Sequence, residues 1–142
     1  MTKDIEELLP DLNAWRTRNA ADISLLDYVS FICTPDSFFA YAELFAPTLV
    51  NHAGEYFIAS KFSVDSYDEW FTRLKDTRAV QRVMNHIHIS TLFQQQFVPD
   101  QLAAAAASTL ATIWSRQFAS LDLVGKAAGT DLANAEVTLY RG

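Results

Sequence analysis

The chain has 142 residues, half of them hydrophobic and 13% aromatic, with a formal net charge of −6. This length and apolar content predict a single globular domain over residues 1–142 and exclude a mainly disordered chain. The acidic balance disfavours nucleic acid and anionic membrane as partners, because both attract clustered Lys and Arg.

Two helices are predicted at the start of the chain. Thr2–Arg18 has an apolar stripe at helical spacing, and Pro10 either kinks this helix or stands at the first position of its regular part. Asp22–Cys33 predicts a short buried helix capped by Asp22 or Ser24, with a strand in its second half as the alternative.

A helix followed by a hairpin is predicted next. Thr34 followed by proline is a helix start signal, and the aromatic run Phe38–Phe45 predicts a nearly enclosed helix that Pro47 ends. Thr48–Phe62 contains two strand-like runs around Gly54, which a tight reversal needs. A lone hairpin is marginal in water, so a third strand or a helix must cover it.

The middle of the chain predicts two consecutive helices. Ser66–Glu69 fits the S-x-x-E capping box at the start of the first, and Asp76 or Thr77 is suited to cap the second. Asn85–Thr91 fits a strand as well as a helix turn, because its polar and apolar residues alternate and it contains β-branched residues. The helical periodicity before it favours helix for this segment.

A long helix and a last strand are predicted in the C-terminal part. Val98–Ser120 predicts a helix with Pro99 at its first position, and its alanines are explained by helix propensity or, alternatively, by close helix–helix approach. Ala135–Tyr140 is a candidate third strand for the hairpin. The fold class expected is α+β, mostly helical, with five to six helices around a small antiparallel sheet.

The three histidines are the main candidates for chemistry. His86 and His88 would share one face of a strand and form an H-x-H ligand pair, but on a helix they would point about 200° apart. A metal site of His52, His86 and His88 with Glu55 or Asp65 is the less favoured alternative. Because helix is favoured, we expect that the histidines do not converge and that no metal is bound.

Cys33 is the only cysteine, which excludes a disulfide framework and a Cys-rich zinc site. A catalytic pair of Cys33 and His52 is conceivable, but the apolar neighbours of the cysteine favour a buried thiol.

The N-terminal residues lack the pattern of a signal peptide, and no apolar run has the length of a membrane span. A reducing cytoplasmic location is therefore expected.

Three common nucleotide-binding and catalytic motifs are missing from the sequence. Its four glycines match neither a phosphate-binding loop nor a dinucleotide fingerprint, and no serine lies in a G-x-S-x-G pattern. No cofactor is therefore expected. Several acidic residues considered for acid–base pairs are better explained as helix caps.

Aromatic residues crowd the first half of the chain, and any that the core leaves uncovered would mark a partner surface. The first functional hypothesis is a non-enzymatic protein-binding or regulatory domain that acts through an apolar helical surface, on itself as a homodimer or on another protein. The alternative is a small metal-binding protein or enzyme that uses the histidines with a carboxylate. A carrier of a small apolar ligand is the third possibility.

Overall fold

The computed structural model describes residues 3–94 and 96–142 and shows a mostly helical α+β fold. The expected fold class is confirmed, although the described residues contain eight α-helices. The helices are α1 (Lys3–Glu7), α2 (Pro10–Asn19), α3 (Leu25–Ile32), α4 (Pro35–Phe45), α5 (Val64–Leu74), α6 (Thr77–Met84), α7 (Ile89–Leu92) and α8 (Asp100–Gln117). The strands are β1 (Leu49–His52), β2 (Glu55–Ile58), β3 (His86–His88), β4 (Leu123–Ala128) and β5 (Glu136–Arg141).

The chain divides into two compact units, Met1–Tyr41 and Ala42–Gly142. The expectation of a single domain stays a prediction. In the first unit, α2 begins at Pro10, as one of the two alternatives predicted, because proline lacks only an N–H that the first helical turn leaves unbonded. Thr2, at the predicted start of the first helix, lies outside the described residues.

The helices α3 and α4 form where the start signals predicted them but are not buried. Ser24 caps α3 by accepting a hydrogen bond from the backbone N–H of Asp27 at 3.0 Å, and the helix continues to its end without a strand. Tyr28 is the only buried residue of α3, and α4 has none. The prediction of enclosed helices is wrong, because a unit of this size has little other surface with which to cover them.

The predicted hairpin is confirmed in the second unit. β1 and β2 pair antiparallel, with Leu49 opposite Ile58 and His52 opposite Glu55. The two turn residues, Ala53 and Gly54, have φ angles of 52° and 82°. Positive φ at both positions is typical of the two-residue turns whose twist matches that of the flanking strands.

The C-terminal strand is present, but it does not join the hairpin. β5 lies between β3 and β4 in a separate three-stranded antiparallel sheet of order β3-β5-β4. The sequence did not predict β4, whose segment is rich in alanine and glycine, two residues that are uncommon in strands. The expected pairing of the hairpin with β5 is therefore wrong.

Small residues bring α8 close to β4. Ala103, Ala107 and Ala111 are buried on one face of α8, and a Cβ added at Gly125 would lie 2.5 Å from the carbonyl oxygen of Ala111. Trp114 fills the core beside them and donates its indole N–H to the carbonyl oxygen of Leu44 at 2.8 Å. The alanines therefore mark close packing of a helix on a strand, whereas the sequence favoured simple helix propensity.

The helices α5 and α6 follow the predicted order. Ser63 caps α5 by accepting from the N–H of Ser66, so the cap lies three residues before the predicted cap at Ser66. Asp76 caps α6, as predicted, by accepting from the N–H of Arg78. The predicted helix over residues 85–91 is wrong for its first half, because His86–His88 is extended and pairs with β5.

Two buried side-chain amides join the two sheets of the second unit. The Asn85 Nδ2 and Gln81 Nε2 groups both donate to the carbonyl oxygen of Tyr56, at 3.0 Å each. In return, Asn85 Oδ1 accepts from the N–H of Ile58, and Gln81 Oε1 accepts from the N–H of Arg141. Both amide side chains are fully buried. They satisfy backbone groups of β2 and β5 that no strand ladder pairs.

Candidate functional site

The strand β3 begins directly after Asn85, which ends α6. The Asn85 carbonyl accepts from the N–H of Leu139, and β3 then continues along β5 with His86 opposite Thr138 and His88 opposite Glu136. Because side chains alternate along a strand, His86 and His88 share one face of the sheet. The intervening Ile87 packs against the core on the other face.

The two imidazole rings meet through their Nε2 atoms. His86 Nε2 and His88 Nε2 are 3.2 Å apart, and the ring planes are nearly perpendicular at 89°. His86 Nδ1 lies 2.5 Å from the carbonyl oxygen of Val83. A carbonyl oxygen only accepts, so this Nδ1 carries the proton and donates it. In the neutral ring, the lone pair of His86 Nε2 therefore faces His88.

Glu136 completes this group from the neighbouring strand. Its Oε2 lies 3.6 Å from His88 Nδ1, and the side chains of His88 and Glu136 are 47% and 35% exposed. One ligand atom from each of His86, His88 and Glu136 lies within 4.8 Å of the other two. We call these three residues the histidine–glutamate cluster. The expectation that the two histidines point to opposite sides is wrong, because the segment is a strand.

His52 is not part of this cluster. It lies in β1, where its ring packs edge-on against Tyr67 at 4.4 Å between centroids and also contacts Phe62. Among the described residues, the groups placed to share a metal ion are those of the histidine–glutamate cluster, so neither His52 nor Asp65 supplies the further ligand considered from the sequence. The missed member is Glu136, which no local motif marks.

Glu55 is held between two arginines. Its Oε2 accepts from Arg141 Nε at 2.8 Å, and its Oε1 accepts from Arg78 Nε at 3.3 Å. The hydrogen bond and the negative charge of Glu55 raise the pKa of Arg141 above its ordinary value. The carboxylate is buried, so the two arginines compensate its charge where water does not. This arrangement ties β2 to α6 and β5.

Cys33 lies at the C-terminal end of α3 and is partly exposed. Its thiol lies near the carbonyl oxygen of Thr34, and the Ser37 hydroxyl donates to its sulfur at 3.7 Å. Cys33 and His52 belong to different compact units, and the catalytic pair that the sequence left as the less favoured alternative stays a hypothesis.

A second feature is the apolar segment, which we define as residues 25–41. Most of its large apolar side chains are exposed, with Leu26 at 81%, Phe38 at 58% and Phe39 at 71%. Val29, Phe31 and Ile32 are exposed as well. No Lys or Arg occurs anywhere in residues 19–60. The apolar segment therefore presents hydrophobic surface without a positive charge.

No protein-family model, curated protein or solved structure matches this chain. Among the described residues, no helix combines the length and the hydropathy that a membrane crossing needs.

Proposed function

We propose that the chain is a protein-interaction module that associates with a second copy of itself through the apolar segment. The exposure of its large apolar side chains carries this proposal. Folded monomers seldom leave contiguous apolar patches of more than a few hundred Å² in contact with water, and larger patches mark interaction surfaces.

The amount of exposed surface suits a dimer. The six exposed side chains of the apolar segment named above, at their observed exposures, offer on the order of 700 Å² of apolar surface, and Tyr41 of the same segment is exposed as well. A standard interface buries about 800 Å² on each partner. Its aromatic side chains are also the residue type that is enriched at interfaces.

The charge pattern favours a second copy over nucleic acid or an anionic membrane. Both of those partners are negatively charged and attract clustered Lys and Arg, which residues 19–60 lack. In a two-fold dimer, the same patch from each copy meets itself. Apolar side chains need no complementary charge, and Asp27 and Asp36 are exposed and suited to a solvated rim.

The test is the molar mass in solution, measured by sedimentation equilibrium and by light scattering at about 10 to 100 µM. The chain has a mass of 15.9 kDa, so the dimer has twice that mass. We expect the dimer for the native sequence and the monomer for Phe39→Glu, because the interface would then bury an unpaired charge.

Phe97→Glu is the matched control. Phe97 is 90% exposed, more than Phe39, but it lies outside the apolar segment. The same substitution there should leave the dimer intact. A native protein that stays at 15.9 kDa throughout the concentration range would contradict the proposal, as would a dimer that Phe97→Glu dissociates and Phe39→Glu does not. The cytoplasmic location and any regulatory role stay predictions.

A further inference from the structure

The geometry points to a metal-binding site at the histidine–glutamate cluster, and we propose that His86 and His88 bind one divalent transition-metal ion of the Zn²⁺ class through their Nε2 atoms. Glu136 supports the site as a positioning residue. This inference is independent of the proposed dimer, because it rests only on the sheet β3-β5-β4.

The spacing of the two nitrogens fits one ion. A tetrahedral Zn²⁺ bound at its usual distance to two imidazoles places their nitrogens about 3.3 Å apart. The observed separation of His86 Nε2 and His88 Nε2 is 3.2 Å. The observed separation therefore matches that of two nitrogens bound to the same ion. Partial exposure of His88 opens the site to solvent.

The other ring nitrogens are supported as in known metal sites. Metal-bound histidines commonly donate the second ring N–H to a carbonyl or a carboxylate, which fixes the tautomer. His86 Nδ1 donates to the Val83 carbonyl, and His88 Nδ1 faces the Glu136 carboxylate. With both Nδ1 atoms protonated, neither Nε2 atom carries a proton, so each Nε2 lone pair is available to a metal ion.

The donor set selects the class of ion. Two imidazoles suit Zn²⁺, Cu²⁺, Ni²⁺ and Co²⁺, whereas Ca²⁺ and Mg²⁺ prefer oxygen ligands. Two protein nitrogens leave the remaining coordination positions to water or to another ligand. Because imidazole must be deprotonated to bind a metal, we expect the affinity to fall as the pH is lowered.

The test uses protein without a purification tag, stripped with a chelator and titrated with Zn²⁺ by calorimetry and with Co²⁺ by visible absorption. We expect one ion per chain, and His86→Gln and His88→Gln should each weaken binding at least about tenfold. His88 is the decisive position if His86→Gln impairs folding, because its side chain is half-exposed.

His52→Gln is the matched control, since it removes the histidine outside the cluster and should leave binding unchanged. Phe39→Glu should also bind normally, which separates failure of this site from failure of the dimer. Glu136→Gln should weaken binding about tenfold while the Co²⁺ spectrum at saturation stays the same, as a positioning residue predicts. A loss of that spectrum, or an unchanged affinity, would contradict this role.

The proposal is overturned by any of three results. One is the absence of stoichiometric binding at about 100 µM of either ion. Another is full binding by both His86→Gln and His88→Gln. The third is a loss of affinity in folded His52→Gln that equals the loss in the cluster variants. Circular dichroism of each variant establishes that it is folded.

Discussion

The apolar segment and the core of the second unit give large aromatic side chains different environments. In Met1–Tyr41, Phe38 and Phe39 are mostly exposed, whereas in Ala42–Gly142 Phe57 and Trp114 are completely buried. The second unit has two sheets, and the long helix α8 packs on the sheet that contains β4 and β5. An aromatic run therefore indicates surface that favours burial, but the neighbouring elements decide whether the chain itself can cover it.

The largest effect on the free energy of unfolding is expected when the buried side chain of Trp114 is removed from the core of the second unit. Trp114→Ala removes a completely buried ring and leaves the Leu44 carbonyl without its donor. We expect the free energy of unfolding to fall by about 3–5 kcal/mol, from the lost apolar contacts and the cavity that remains. Chemical denaturation followed by circular dichroism measures this change. A loss below about 1 kcal/mol would mean that this core is not packed as described.

A somewhat smaller effect is expected at Asn85, the buried amide between the sheets. Asn85→Ala removes its hydrogen bonds with the Ile58 N–H and the Tyr56 carbonyl and should cost about 2–4 kcal/mol, because a buried backbone donor is left unsatisfied. Asn51→Ala, at an exposed position of β1, is the control and should change stability by less than about 0.5 kcal/mol. Equal effects of the two variants would refute the bridging role.

Asn85 directly precedes β3, so its replacement should also affect the position of the histidine–glutamate cluster. In Asn85→Ala we expect weaker Co²⁺ binding together with the lower stability, whereas Asn51→Ala should keep both. This result would connect the buried amide to the position of the two imidazoles.

The smallest effect on the free energy of unfolding is expected at Phe39, an exposed residue of the apolar segment. In protein dilute enough to be monomeric, Phe39→Ala should change the free energy of unfolding by less than about 0.5 kcal/mol, because the ring has little contact to lose. At concentrations where the dimer forms, the difference from the native protein should grow, since association stabilises the folded chain. A concentration-independent loss of several kcal/mol would show that Phe39 belongs to a core.

Local signals in the sequence predicted most helices and the hairpin of the second unit, but they did not predict which strands pair with each other in its three-stranded sheet. The hairpin follows from the glycine in its turn, and α6 from the Asp76 cap, because both depend on residues adjacent in sequence. The capping box at Ser66 was misplaced because Ser63 caps the helix one turn earlier. The strand β4 was missed because its partner β5, more than its own composition, makes it a strand.

The candidate metal site also depends partly on a local sequence signal and partly on strand pairing. The sequence identified His86 and His88 as a ligand pair on condition that their segment is extended, but the preceding helix α6 favoured the other choice. Pairing with β5 decided the matter, since three extended residues are stable only beside a partner strand. Glu136 could not be found, because its approach to His88 follows from the strand register alone.

The sequence by itself determined the α+β class, the helix start at Pro35 and the hairpin around Gly54, because proline geometry, caps and turns act between near neighbours. The tertiary structure alone decided that the aromatic helices are exposed, that the C-terminal strand pairs with the two histidines, and that their rings meet. Those outcomes depend on contacts between residues distant in the chain, which no local pattern specifies.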